Sequence, residues 1–118
     1  MRPFLTVLFT LAGFSLAQAH AFLDHADPKV GSTVTGSPAV IKVWFTEELE
    51  PAFSKIQVFD AKGGEVDQKD VKVDATDKAL MTVSVPKLPA GTYKVKWSAV
   101  AVDTHHTTGT YTFTVTAP

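Results

Sequence analysis

The residues of this chain with most chemistry to offer are four histidines and one aspartate. The histidines fall into two pairs, His20 with His25 and His105 with His106, and Asp103 stands two residues before His105 in Asp103-Thr104-His105. In extended chain, residues i and i+2 project to the same side. Their Cα atoms are then about 6.5–7 Å apart, so a carboxylate and an imidazole can converge on one ion. Alone, the triplet reads more readily as a polar turn than as a site. His20 becomes a stronger donor if the chain is cut just before it. It then offers a free α-amine and an imidazole Nδ1, which close a chelate ring on a single metal. An α-amine titrates at about 7.7–8.0, so a metal displaces its proton at neutral pH. Amine, two imidazoles and a carboxylate form an N3O set, which suits tetragonal Cu(II). Zn(II) would accept the same donors in tetrahedral form. His25 and His106 are possible additional ligands, but each reads more readily as a surface residue.

The start of the chain supplies the cut. Met1-Arg2-Pro3 is positively charged, Phe4 to Leu16 is almost wholly apolar, and Ala17-Gln18-Ala19 places small residues in an A-x-A pattern. Together these read as a secretory signal peptide over 1–19, leaving a single domain over 20–118 that begins at His20. The apolar run is short for a membrane span, which takes roughly 20 residues.

Export brings constraints of its own. There is no cysteine, so an exported domain of this size must be stable through its core, without disulfides. Thiolate metal sites, iron–sulfur clusters and thiol nucleophiles are excluded by the same fact. With Arg2 removed, ten Lys face twelve Asp and Glu, and no basic stripe suggests nucleic acid. Neither G-x-S-x-G nor H-E-x-x-H occurs, and no glycine-rich phosphate loop.

The elements that would position the donors are strands. Ile41, Val43 and Phe45 alternate with Lys42 and Trp44; Ile56 and Val58 flank Gln57; Tyr93, Val95 and Trp97 alternate with lysines and a serine; Tyr111, Phe113 and Val115 alternate with threonines. A period of two puts each set on one face of a strand. Turn residues separate them: Pro28 and Gly31, Gly36 to Pro38, Asp60 to Gly64, Pro86 to Gly91. The spacing predicts an all-β fold, a seven-stranded Greek-key β-sandwich or barrel of immunoglobulin-like type. Glu47 to Phe53 can hold a helical turn that Pro51 limits. Phe22, Phe45, Phe59, Trp97, Tyr111 and Phe113 are expected in the core. Asp103 to His105 then lie on a connection between two strands, where sites are commonly built.

Several stretches resemble the CopC-type family of periplasmic copper-resistance proteins. They are His20-Ala21-Phe22-Leu23 with Asp27-Pro28 and Gly31-Ser32; Ile41 to Leu49, ending in F-T-E-E-L; Leu88 to Trp97, similar to L-x-A-G-x-Y-x-V-x-W; and Asp103-Thr104-His105 followed by Gly109-Thr110-Tyr111-Thr112-Phe113. The resemblance runs in order through essentially the whole of 20–118. It implies a periplasmic protein binding one Cu(II), with His20, Asp103 and His105 as ligands and Glu47 supporting the terminal amine from outside the ligand shell. It also implies an inner-membrane partner of the CopD type. A monomer is expected. Some members of that family carry a methionine-rich Cu(I) loop, whereas here the chain after residue 19 has one methionine, Met81. Soft thioethers select Cu(I), so Cu(II) alone is expected. The resemblance points to a binding protein rather than an enzyme. Two alternatives stay open at this point: a small oxidative copper enzyme using an N-terminal His, and a structural sandwich with incidental histidines.

Overall fold

The computed structural model describes residues 21–118; the expected leader over 1–19 and His20 lie outside the described residues. The strands are β1 (Leu23–Asp27), β2 (Thr33–Thr35), β3 (Val40–Phe45), β4 (Lys55–Phe59), β5 (Lys72–Val73), β6 (Leu80–Ser84), β7 (Gly91–Val100) and β8 (His106–Thr116). They form two four-stranded sheets, in the orders β1-β3-β6-β5 and β2-β8-β7-β4. The fold is therefore an all-β sandwich. It has eight strands among the described residues where the alternation predicts seven. The difference lies in short pieces: β2 has three residues and β5 two, too few to display a period. Only β5–β6 and β7–β8 pair as neighbours in sequence; at every other connection the chain changes sheet. All pairings are antiparallel except β2 with β8, which run parallel.

The alternating residues fill the space between the sheets. Ile41, Val43 and Phe45 from β3 meet Ile56 and Val58 from β4, Tyr93, Val95 and Trp97 from β7, and Tyr111, Phe113 and Val115 from β8, all buried. Each large apolar side chain stabilises the fold by about 1.5–3 kcal/mol on burial. Two expected core aromatics lie elsewhere. Phe22 is 47% exposed, because Ala21 beside it takes the buried position at the sandwich rim. Phe59 is half-buried, since Ile56 and Val58 set the inward phase of β4 and position 59 is out of it. The helical turn is present as one 3-10 turn, Pro51–Phe53, with proline at its start.

Two features of the β7–β8 pair govern its stability. Gly109 stands opposite Trp97, whose ring covers it so closely that a Cβ there would lie 2.4 Å from Cζ2. Trp97 in turn meets Phe45 edge-on, with centroids 5.2 Å apart. Tyr111 carries a buried hydroxyl with no hydrogen-bond partner among the described residues, and burial pushes its pKa up. An orphaned buried hydroxyl costs about 1–3 kcal/mol. Tyr111→Phe is therefore expected to raise stability by about 1 kcal/mol in urea unfolding. A loss of stability would show that the hydroxyl has a partner.

Charge is distributed unevenly. The strands of the β2-β8-β7-β4 sheet carry Lys55, Lys94, Lys96 and His106 but no carboxylate. All twelve Asp and Glu residues lie outside these four strands.

Candidate metal site

The site begins where β7 ends. The β7–β8 ladder runs up to the pair Val100 and His106, and the connection between them carries Asp103 and His105. The connection is a tight turn. Thr104 sits at φ 75°, a left-handed conformation that is rare for a β-branched residue. Such a conformation costs on the order of 1–3 kcal/mol and persists only where neighbours hold it. Here the Thr104 N–H donates to the Ala101 carbonyl at 2.7 Å, and the Ala101 N–H donates to the His105 carbonyl at 3.0 Å.

The turn changes how Asp103 and His105 meet. They do not project side by side from extended chain, as their spacing alone suggests. The reversal at Thr104 folds them onto each other, with Asp103 Oδ2 3.1 Å from His105 Nδ1. The His105 backbone N–H also donates to Asp103 Oδ1 at 3.2 Å. The His105 side chain, and then its backbone N–H, hold the Asp103 carboxyl below the usual carboxylate range. Asp103 is thus an anion at neutral pH. The His105 side chain is 51% exposed and that of Asp103 43%, so the pair faces solvent at the end of the sandwich.

Two other chain segments reach this end. The stretch after β3 runs beside the end of β7: Leu49 bridges Ala101, the Glu50 N–H donates to Val100, and the Val102 N–H donates to Glu48. Exposed Glu47 lies on this stretch, directly after Thr46. The segment entering β1 is the other. The Phe22 N–H donates to Thr46 Oγ1 at 2.9 Å, and the Thr46 N–H returns a bond to the Phe22 carbonyl at 2.9 Å. The Ala21 carbonyl accepts from the hydroxyl of Thr107, two residues beyond His105. Neither Thr46 nor Thr107 stands out in the sequence as a site residue.

The other two described histidines have partners of their own. His106 belongs to the outer face of its sheet, with Nε2 2.8 Å from Ser98 Oγ. His25 lies on β1, stacked on Trp44 with centroids 4.3 Å apart, and its Nδ1 meets Asp24 Oδ2 at 2.7 Å. His20 lies outside the described residues. Among the described residues no group of three His, Asp or Glu side chains is arranged to hold a metal.

Residues 23–116 match the CopC domain. The chain belongs to the CopC family. Its similarity to copper resistance protein C of Pseudomonas syringae pv. tomato is 38% identity over 107 residues, covering 86% of this chain and 84% of that protein. It is 31% identical over 98 residues to copper transport protein CutJ of Bacillus subtilis, covering 82% of this chain but only 18% of that longer relative. Among solved structures, CopC from Methylosinus trichosporium OB3b superposes with a TM-score of 0.78 at 35% identity, over 83% of this chain and 95% of that one. PcoC from Escherichia coli, described as a methionine-rich copper resistance protein, superposes at 0.74 with 36% identity, over 83% of this chain and the whole of that one. This CopC-family chain differs in its sulfur. Met81, its single methionine after residue 20, is fully buried in the core.

Proposed function

We propose that this protein is a periplasmic Cu(II)-binding protein rather than an enzyme. Cleavage after Ala19 exposes His20, and one Cu(II) is held by the His20 amine and imidazole, the Asp103 carboxylate and the His105 imidazole. The protein buffers this copper or hands it to an inner-membrane partner of the CopD type. The reading is supported by the hydrogen bond from Thr107, two residues beyond His105, to the carbonyl of Ala21, the first described residue, at the end of the sandwich where Asp103 and His105 meet. The relatives named for copper resistance support copper as the cargo. Nitrogen and oxygen donors favour Cu(II), and the only thioether among the described residues is enclosed in the core. Glu47, on the adjoining stretch, is placed in this reading as an acceptor for the amine.

The test is a Cu(II) titration followed by electron paramagnetic resonance on two proteins, one beginning at His20 and one with a single alanine ahead of it. The expected result is one tight tetragonal, nitrogen-rich site in the first and its loss in the second. Equal binding by both would place copper on side chains only and refute the amine chelate.

A further inference from the structure

We propose that Thr46 and Thr107 are positioning residues, two hydroxyl groups that clamp residues 21 and 22 so that the copper chelate is preorganised before the metal arrives. The proposal rests on the N-terminal copper site and adds to it the groups that hold the chain start in place.

The geometry is a set of three bonds on two consecutive residues. Thr107 donates its hydroxyl to the Ala21 carbonyl. Thr46 accepts the Phe22 N–H on its hydroxyl and donates its own N–H to the Phe22 carbonyl. All three act upstream of β1, which begins at Leu23. Ala21 itself is fully buried, so the segment is held by packing as well.

Thr107 is in the wrong phase for its strand. The other threonines of β8, at 108, 110, 112, 114 and 116, alternate with inward-facing Gly109, Tyr111, Phe113 and Val115. Thr107 shares the inward phase, opposite buried Ala99. A polar side chain at an inward position needs a partner, and its hydroxyl is spent on Ala21. The clamp therefore ties the residue after His20 to the strand that directly follows His105.

The consequence is kinetic. When the chelate opens, a clamped chain start stays at high effective concentration beside Asp103 and His105, and the metal is recaptured before it escapes. Without the clamp, the released arm swings away. Removing a group outside the ligand shell commonly weakens a site about 10–100-fold.

The experiment measures Cu(II) release from the loaded protein beginning at His20 to excess EDTA by stopped flow. Amide exchange at Phe22 is measured on the metal-free protein. Thr107→Val is expected to release copper about tenfold faster with reduced Phe22 protection, and Thr107→Ser to restore both. Thr46→Val and Thr46→Ser make the same comparison at the other hydroxyl, and decide the matter if Thr107→Val does not fold. If the valine variants lose Phe22 protection yet release copper at the wild-type rate, the clamp has no part in holding the metal and the proposal is wrong. If wild type shows no Phe22 protection to lose, the clamp does not exist in solution. Failure of the copper site itself looks different: the alanine-extended chain would bind like the native start, whatever the exchange shows.

Discussion

Replacing His105 by alanine is expected to weaken Cu(II) binding to the chain beginning at His20 by more than about a hundredfold, beyond the range seen for groups outside the ligand shell. The substitution removes one of the four proposed donors and withdraws the imidazole that meets Asp103 at 3.1 Å. A hundredfold is about 2.8 kcal/mol of binding. Folding should change far less. The side chain is half exposed at the end of the sandwich, so its removal leaves the core intact. Competition titration against a chromophoric chelator and thermal unfolding of the metal-free protein separate the two effects. Binding within threefold of wild type would remove His105 from the ligand set. Loss of the cooperative thermal transition would make the turn structural instead.

The second large effect concerns stability. Gly109→Ala is expected to destabilise the protein by about 3 kcal/mol, at the upper end of what overpacking costs. The added Cβ would meet three ring atoms of Trp97, at 2.4, 2.7 and 2.9 Å. The ring has nowhere easy to go, because Phe45 lies against it edge-on in the core. A second substitution makes the cause visible. Trp97→Leu removes the obstructing ring, so the double variant should lose less stability than the two single losses added together. Strict additivity in urea unfolding would mean that the glycine is required for another reason.

Much of this architecture is legible in the sequence because strands with one buried face write their own period. Ile41-Val43-Phe45 and Tyr111-Phe113-Val115 declare both their secondary structure and their inward face, and the structure buries all six. What does not show is whatever depends on contacts remote in sequence. β2 and β5 are too short to carry a pattern and exist through their partners, β8 and β6. Phe22 looks like core by type, but its exposure follows from the rim position of a segment pinned by Thr46. The pairing of Asp103 with His105 is readable as a spacing, yet the means is not. The left-handed Thr104 has no glycine or asparagine to announce it, and it is held by bonds at Ala101 and at Asp103. Thr107 is hidden still more thoroughly, as one hydroxyl in a strand full of them, distinguished by phase alone.

The charge that is uneven along the strands is balanced in space by the loops. The molecule's ten lysines are outnumbered by twelve acids, so from afar it is weakly anionic. The strands of one sheet bear Lys55, Lys94 and Lys96 and no carboxylate, but Asp60 lines the same cleft as Lys94 and Lys96, and Glu65 and Asp67 the same cleft as Lys55, so carboxylates from the loops oppose these lysines at close range. The lysines are therefore local positive spots on a weakly anionic body, and beyond a Debye length of about 10 Å at 0.1 M salt they are screened, so retention on a cation-exchange surface is not expected.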